Sequence, residues 1–492
     1  MRTLIGEALR RHAADPRAPA ALVSPDGEVS YAELVARVDR CAAWLLRERC
    51  RASVPVGVSV VDETDCLIVV LALIDLGVPQ VGLPTGMPEP MRIAMARRLA
   101  LGRVVVDDPW HALAGMPVSV LLPDGMRELE GVATMPLETD PDATALFASS
   151  SGTTGVPKVL ALSQRVIAWR AWQVAQVQAY APDERVLVPM SSQEYPGKSM
   201  RVYTLIHGGT VVMWPGGAAA PPSVPAYCAT MGATTLQLTV QQARALVNDP
   251  GGRDRLPAST RVFLGASRMP AGLPAAFEAR VGGRVYNRYG TTEIGIVSTM
   301  YPEGDDGTPD SVGRRAAGVE LEIVDENGRL MPPGEPGEIR LRCESMAERY
   351  FDDPVATAAH FANGWFYPRD VGLITPGGVL RFLGRSDDMM MLNGINIFPA
   401  EIERVLEEHP AVRNAAAFPI RSPIYGDIPA AAVELNGTMA ADAPALARYA
   451  RERLGVRAPR KVVIVAALPR NANGKVVKRE LAAALAQGRT GG

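Results

Sequence analysis

The chain contains 492 residues, of which 47% are hydrophobic, and its 51 basic and 53 acidic residues leave a formal net charge of -2. A chain of this length exceeds what one hydrophobic core accommodates, so we expect at least two domains. The balanced charge, without a long basic tract, argues against a nucleic-acid partner.

The first half of the chain alternates between helix-sized and strand-sized segments. Apolar residues at helical spacing predict a helix over Tyr31–Glu48, and VPVGVSVV (54–61) predicts a buried strand. DCLIVVLALIDLG (65–77) predicts a helix that ends at Gly77, and its apolar run is too short to span a membrane. The alternation continues to about residue 290, which predicts an α/β fold with largely parallel sheets.

The second part of the chain has a different pattern. From about Ser298 onward, polar and apolar residues alternate around an Asn-Gly turn, which predicts antiparallel hairpins. A helix after Pro399, two strands and a helix near 443–454 then predict a small α/β unit. We place the domain boundary in GRSDD (384–388), which divides the chain into a large part, 1–385, and a small part, 386–492.

The cellular compartment is indicated by what the chain lacks. Residues 1–16 have no apolar core of the kind that a signal peptide carries. The five cysteines are scattered and form no CxxC pair. We therefore expect a cytoplasmic protein with reduced thiols, no zinc site and no membrane association.

Five motifs carry candidate chemistry. The loop SSSGTTGVPKV (149–159) follows a predicted strand, and its backbone N–H groups and hydroxyls can hold a phosphate. Its spacing is not that of a P-loop NTPase, because only two residues separate Gly152 from Gly155. The other motifs are YNRYGTTE (286–293), GWFYPRD (364–370), GRSDDMMMLNGINIFPAEIE (384–403) and PRNANGKVVKREL (469–481).

With these motifs in this order, residues 31–481 resemble the adenylate-forming superfamily, which contains acyl- and aryl-CoA ligases, adenylation domains of peptide synthetases, and luciferases. The resemblance implies a large N-terminal domain of layered α/β subdomains with a β-barrel-like subdomain, and a small, mobile α+β C-terminal domain. It also implies an AMP-forming acid–thiol ligase that uses ATP and Mg²⁺. Such an enzyme joins a carboxylate to AMP, releases pyrophosphate, and then transfers the acyl group to a thiol.

The resemblance assigns nucleotide-binding roles by position. The phosphate loop corresponds to Ser150, Ser151, Gly152, Thr153, Thr154, Gly155 and Lys158. Tyr289 is expected to stack on adenine, Asn287 to bond with its amino edge, and Thr292 to contact the α-phosphate. Glu293 is expected to bind Mg²⁺, because this hard cation favours carboxylate oxygen. The expected lining of the nucleotide pocket is completed by Gly265, Ala266 and Gly290, and Ser267 is expected to border the acyl group.

The remaining motifs supply ribose, hinge and lid residues. Asp370 is expected to accept hydrogen bonds from both ribose hydroxyls. In most members of the family this motif is Thr-Gly-Asp, whereas in this chain it is Pro-Arg-Asp. Arg385 is expected near ribose and phosphate, and Asp387 at the hinge; the alternative for this pair is a local salt bridge in a surface turn. Lys475 is expected to reach the site for adenylation only, and Gly394 to border the thiol channel.

The acid and its acceptor are less closely defined. The predicted acyl pocket is polar where the family usually has an aromatic or histidine gate, which indicates a small polar or aromatic acid; its residues are Ser191, Ser192, Gln193, Glu194 and Lys198. Alternatively, Glu194 and Lys198 pair at i, i+4 spacing and face solvent. Because no carrier domain follows residue 492, we expect the acceptor to be CoA or the phosphopantetheine of a separate carrier protein.

Three other functions are also compatible with the sequence. A stand-alone adenylation enzyme could activate an amino acid for a carrier protein. A relative of the family could adenylate an unusual oxyanion, such as nitrite, for condensation with an aromatic amine. A catalytically silent binding module would retain the fold without the chemistry, although Glu293, Asp370, Arg385 and Lys475 all remain in the sequence.

Overall fold

The computed structural model of the protein describes residues 3–121, 129, 134–150, 158–181, 183–215, 223–249, 251–270, 272–302, 310–392, 395–422, 426–437, 439–470 and 476–486. The α-helices are α1 (Leu4–Ala14), α2 (Tyr31–Arg47), α3 (Glu63–Leu76), α4 (Glu89–Arg98), α5 (Gln164–Gln178), α6 (Tyr195–Ile206), α7 (Val224–Thr230), α8 (Val240–Asn248), α9 (Leu273–Arg280), α10 (Pro354–His360), α11 (Pro399–Glu407), α12 (Ala443–Leu454) and α13 (Lys478–Ala486).

The β-strands are β1 (Ala20–Ser24), β2 (Gly27–Ser30), β3 (Val56–Ser59), β4 (Gln80–Gly82), β5 (Arg103–Val106), β6 (Val118–Val120), β7 (Thr144–Ser150), β8 (Lys158–Ser163), β9 (Arg185–Leu187), β10 (Thr210–Val212), β11 (Thr235–Thr239), β12 (Leu256–Gly265), β13 (Gly282–Thr291), β14 (Gly295–Met300), β15 (Ser311–Arg315), β16 (Glu320–Val324), β17 (Gly337–Arg342), β18 (Phe361–Ala362), β19 (Trp365–Phe366), β20 (Asp370–Ile374), β21 (Val379–Arg385), β22 (Met390–Leu392), β23 (Ile395–Ile397), β24 (Val412–Ser422), β25 (Gly426–Leu435) and β26 (Lys461–Ile464).

The first sheet has six strands in the order β6-β5-β3-β4-β7-β8. Its strand pairs are parallel apart from β7–β8, as the alternating sequence pattern predicts. Helix α3 begins where the Asp62 side chain accepts hydrogen bonds from two backbone N–H groups and ends at Gly77, whose φ is 70°. Every residue from Cys66 to Leu76 is buried, so this helix forms part of the core on all its sides. Even so, no helix in the described ranges is both long and apolar enough to cross a membrane.

The second sheet has fifteen strands in the order β18-β19-β17-β20-β21-β15-β14-β13-β12-β11-β9-β10-β1-β2, with β16 beside β17. The central strands β10, β9, β11, β12 and β13 pair in parallel. From β13 through β14, β15, β21 and β20 the pairing is antiparallel. The hairpin predicted after Ser298 is formed by β16 and β17.

The third sheet contains the strands after residue 389, in the order β23-β22-β25-β24 with β26 beside β25. Helices α11 and α12 pack on its core, and α12 has the position predicted near 443–454. The predicted α/β fold with a large N-terminal and a small C-terminal domain is confirmed. The boundary between residues 385 and 386 stays a prediction.

Three parallel strands position the candidate site. In their register, Thr239 at the end of β11 lies beside Gly265 at the end of β12, and Leu264 lies beside Asn287 of β13. The carboxyl ends of these strands therefore meet at one edge of the sheet. In open α/β sheets, ligands bind outside this edge.

We expect the close approach of β4 to the segment before α6 to be sensitive to a single methyl group. A Cβ atom added to Gly82 would lie 1.7 Å from the carbonyl oxygen of Gln193, whereas one added to the exposed Gly86 would meet no atom within 4 Å. Gly82→Ala should therefore destabilise the protein by roughly 1–3 kcal/mol. Urea unfolding measures the effect, with Gly86→Ala as the matched control; equal midpoints for the two variants would contradict this packing.

Candidate active site

The ends of β12 and β13 form one wall of the candidate site. Gly265 is followed by Ala266, whose φ of +72° lies in the left-handed region that non-glycine residues rarely adopt. The buried Asn287 side chain donates from Nδ2 to the carbonyl oxygen of Ser311 at 3.3 Å. Gly290 follows a register shift in β13, and Thr292 lies in the turn between β13 and β14. Their contacts with adenine and phosphate stay predictions.

A second group of side chains surrounds Asp370, which is buried. The hydroxyl of Tyr289 donates to Asp370 Oδ2. Across the β20–β21 ladder, Arg385 pairs with Asp370, with 3.6 Å between Nη1 and Oδ1. The local salt bridge with Asp387 is also present, at 2.8 and 2.9 Å. Burial opposes the charge of Arg385, but its bond with Asp387 and the charge of Asp370 together raise its pKa.

A third group surrounds Lys158 at the start of β8. Its Nζ lies 2.8 Å from His360 Nε2 and 4.9 Å from the centre of the Tyr350 ring. His360 Nδ1 lies 2.8 Å from the carbonyl oxygen of Tyr367, so Nδ1 carries the proton and neutral Nε2 accepts from the lysine ammonium. Burial and the charge of Lys158 lower the pKa of His360. The Tyr350 hydroxyl donates to Glu293 Oε1 at 2.6 Å.

The second and third groups lie close to each other. Besides burial, the charge of Arg385 lowers the pKa of Lys158, and Arg385 is hydrogen-bonded to Asp387 and paired with Asp370. The carboxylate of Glu293 acts on Lys158 in the opposite direction. The structure therefore brings together Lys158, Glu293 and Asp370, which are separated by more than 70 residues along the chain in each case.

Glu293 is the described residue best suited to hold Mg²⁺. Its side chain is 7% exposed, and Tyr350 bonds only with Oε1, so among the described residues Oε2 accepts no hydrogen bond. No cluster of three or more metal-binding side chains occurs in the described ranges. This arrangement fits a cation that takes one or two carboxylates and completes its shell with water and substrate phosphate, as Mg²⁺ does.

Several predicted site residues lie outside the described residues. They are Ser151, Gly152, Thr153, Thr154 and Gly155 of the phosphate loop, Gly394 of the thiol channel, and the lid residue Lys475. For Ser150 the structure describes the backbone, which ends β7. The roles assigned to these residues therefore stay predictions.

The predicted acyl-pocket segment is held against the first sheet. The Ser191 hydroxyl accepts from the backbone N–H of Gln193 at 3.1 Å, and the backbone N–H of Ser192 donates to Glu63 at 2.7 Å. The Gln193 side chain accepts from the backbone N–H of Thr85 at 3.1 Å. These contacts fix the segment between the two sheets.

The position of the Lys198 side chain contradicts the alternative in which Lys198 pairs with Glu194 and faces solvent. Its side chain is buried, and Nζ donates to Gln80 Oε1 at 2.8 Å. Burial lowers the pKa of Lys198 to about 8. Glu194 precedes α6, and burial together with the charge of Glu63 raises its pKa. Whether either side chain touches the acid stays a prediction.

Arg369 occupies the middle position of Pro-Arg-Asp in a left-handed conformation with φ +67°. Its carbonyl oxygen accepts from the backbone N–H of Ser386 at 2.8 Å, which joins the motif to the segment after β21. Its side chain donates to the carbonyl oxygen of Ala359 at 2.7 Å and lies 3.4 Å from Glu338. The arginine therefore retains the backbone shape that glycine adopts readily and adds contacts of its own.

The loop after β12 also contacts the small domain. Arg268, which directly follows the exposed Ser267, donates to Glu407 of α11 at 2.8 Å. Arg244 of α8 donates to the other oxygen of Glu407 at 2.9 Å. Arg404 of α11 lies 3.2 Å from Asp310. The loop that carries the predicted Gly265, Ala266 and Ser267 is thus tied to the C-terminal domain by ion pairs.

Comparison with known proteins defines the class. A family model described as AMP-binding enzyme matches residues 9–351, and a model of the AMP-binding enzyme C-terminal domain matches residues 401–475. The chain therefore belongs to the AMP-binding enzymes of the adenylate-forming superfamily. The expected enzyme class, an AMP-forming ligase of the acyl-CoA synthetase type, is confirmed.

Three similar proteins illustrate the range of the family. The chain is 29% identical over 471 residues to 2-succinylbenzoate–CoA ligase of Bacillus subtilis, covering 94% of both chains. It is 32% identical over 351 residues to sulfoacetate–CoA ligase of Cupriavidus necator, covering 69% of this chain and 67% of the relative. The solved structure of amide bond synthetase McbA from Marinactinospora thermotolerans is similar with a TM-score of 0.86 and 25% identity, covering 97% and 99% of the two chains.

Two residues of the site were not identified from sequence. Tyr350 and His360 contact Glu293 and Lys158, but they lie outside all five motifs. The aromatic and histidine residues around them form no regular spacing that would indicate a site. Only the packing of β8, α10 and the β13–β14 turn against one another brings these two residues to the site.

We expect Arg369 to store backbone strain that glycine would relieve. Arg369→Ala removes the side-chain contacts and keeps the unfavourable φ, whereas Arg369→Gly removes both. The glycine variant should therefore be more stable than the alanine variant by about 1 kcal/mol. Urea unfolding of the two variants measures this difference, and an alanine variant as stable as the glycine variant would show that the left-handed backbone costs nothing here.

Proposed function

We propose that the protein uses ATP to activate a small polar or aromatic carboxylic acid as an acyl-adenylate and then transfers the acyl group to CoA. The observation that carries the proposal is the proximity of Lys158, Glu293 and the Asp370–Tyr289–Arg385 group. Adenylation of a carboxylate by MgATP needs a cation, a metal-binding carboxylate and a ribose-binding carboxylate, and this group contains a candidate for each.

The proposed roles follow from charge and hydrogen bonding. Lys158, held by His360, neutralises phosphate charge together with the loop 150–155. Asp370 accepts from the ribose hydroxyls, and Tyr289 stacks on adenine. Glu293 holds Mg²⁺, which when bound offsets the charge that develops on the phosphates. Lys475 adds a further positive charge during adenylation, worth about 4 kcal/mol at about 4 Å and an effective dielectric near 20.

The similar proteins support both the acid class and the acceptor. 2-Succinylbenzoate is a small aromatic acid and sulfoacetate a small polar one, and both of these relatives are named as CoA ligases. Both acids also carry a second acidic group. We therefore favour CoA over a carrier protein as the thiol.

A second candidate acceptor is an amine. The similarity to an amide bond synthetase, over nearly the whole of both chains, favours this alternative. The first half-reaction is then unchanged, and the acyl-adenylate reacts with an amine instead of a thiol. Product analysis with CoA and with amines supplied separately distinguishes the two acceptors.

The central test is acid-dependent release of pyrophosphate from ATP, followed by detection of the acyl-CoA product. Lys475→Ala should lower pyrophosphate release on the order of 100-fold or more, because the charge it supplies acts in the adenylation transition state. Thioester formation from a supplied acyl-adenylate should be nearly unchanged. Lys461→Ala, in the same domain, is the control; equal losses in both half-reactions would contradict the assigned role.

We expect His360 to affect nucleotide binding through Lys158. His360→Phe keeps the ring that packs on Phe366, with centroids 6.2 Å apart, and removes the acceptor of the lysine hydrogen bond. Its affinity for ATP should fall roughly tenfold, as loss of a charged hydrogen bond implies. His360→Gln, which retains an acceptor, should recover part of this loss in calorimetric titration. Unchanged affinity in the phenylalanine variant would remove His360 from this role.

A further inference from the structure

Arg288 is a charged residue in an otherwise buried part of β13. Side chains alternate along a strand, so Arg288 projects from the face opposite to Asn287 and Tyr289. Its guanidinium lies 5.1 Å from the centre of the Phe263 ring and donates to Gln237 Oε1. Burial lowers the pKa of Arg288 to about 10. The residue is nevertheless intermediate in exposure and not fully buried.

No carboxylate among the described residues neutralises this arginine. Tyr180 lies near both Arg288 and Glu184, but Glu184 is already engaged by Arg261 and by the hydroxyls of Thr234 and Thr235. An interior cation without a counterion is unfavourable unless something else supplies the negative charge. An anion supplied from outside the described part of the chain would neutralise it.

Two further polar groups beside Arg288 lack partners. Gln237 uses Oε1 for the arginine, and its Nε2 finds no hydrogen-bond acceptor among the described residues. Thr299 lies directly across the β13–β14 ladder from Arg288, and its Oγ1 is likewise without a described partner. Both side chains are 1% exposed, and buried polar groups are almost always satisfied in folded proteins. An anionic oxygen group would accept from all three side chains.

The position of this group connects it to the acid. Arg288 precedes Thr292 by four residues, which places the two at most about 13 Å apart along an extended strand. Lys198, the cation predicted from sequence for this pocket, donates instead to Gln80. We propose that Arg288, Gln237 and Thr299 bind a second anionic group, a carboxylate or sulfonate, on the acid substrate. The inference rests on the proposed function, since it assumes that an acid is activated next to Thr292.

The test compares acids that differ in the second group alone. Suitable pairs are sulfoacetate with propionate, succinate with butyrate, and phthalate with benzoate. The wild-type enzyme should prefer the dianionic member of at least one pair, because a site built for hydrogen bonds discriminates strongly against an analogue that lacks the partner. Arg288→Ala should lower kcat/KM for that acid about 100-fold or more and leave its monoanionic analogue nearly unchanged.

The controls separate recognition from folding. Arg284→Ala removes an exposed arginine from the same face of β13 and should leave the acid preference intact. Gln237→Leu and Thr299→Val keep the charge of Arg288. Thr299→Val removes one hydroxyl, and Gln237→Leu removes the Nε2 donor together with the Oε1 acceptor of Arg288, so each should cause a smaller loss than Arg288→Ala, roughly tenfold. If Arg288→Ala does not fold, these two variants carry the test.

Equilibrium binding of the same acids in the presence of AMP distinguishes failure of this inference from failure of the proposed function. In one outcome the wild-type protein binds a dianionic acid, Arg288→Ala abolishes this binding, and no thioester forms. That outcome would uphold the anion site and refute the CoA ligase proposal. Thioester formation from monoanionic acids, equally fast in wild type and Arg288→Ala, would overturn the anion site and uphold the ligase. A wild-type protein that neither binds nor ligates a dianionic acid would overturn the anion site as well.

Discussion

The guanidinium of Arg385 connects the predicted hinge to the predicted ribose-binding carboxylate. It ends β21, pairs across the ladder with the buried Asp370, and makes a two-point salt bridge with Asp387 in the following turn. A planar guanidinium has enough donors for both carboxylates. Because Asp387 is the predicted hinge, rotation of the small domain must either carry this salt bridge along or break it. The predicted ribose-binding carboxylate, Asp370, and the domain orientation therefore depend on the same cation.

A second network of ion pairs joins the small domain to the loop after β12. Glu407 of α11 forms ion pairs with both Arg244 and Arg268, and its side chain is 10% exposed. Its removal would leave Arg244 without a carboxylate partner among the described residues, and Arg268 with the longer contacts to Glu403 and Asp310, at 3.8 and 3.9 Å. Loss of such a partly buried partner costs more than loss of an exposed salt bridge. Arg268 directly follows the loop of Gly265, Ala266 and Ser267. The observed orientation is thus favoured by charges on both sides of the predicted nucleotide.

The fold and the backbone elements that carry the candidate site could be predicted from the sequence, because both depend on local patterns. The apolar run of α3, its Gly77 terminus and the turn of the β16–β17 hairpin are encoded within short segments. The contacts of Lys158 with His360 and of Lys198 with Gln80 are not, because each joins segments more than 100 residues apart. Arg288 did have a local signal, a charge within a buried strand, but the signal does not show whether a counterion is present.

Under the proposed function, the arrangement on β13 lets one strand serve two anionic substrates. Adenylation brings a carboxylate to a polyphosphate, and two unit charges about 4 Å apart repel by about 4 kcal/mol at an effective dielectric near 20. A diacid adds a second negative charge, which needs its own cation away from the phosphates. Strand alternation provides this separation, because Asn287 and Tyr289 project from one face of β13 and Arg288 from the other. A shift of one residue in the register would exchange the two faces, so the pairing with β12 and β14 determines which proposed substrate each side chain faces.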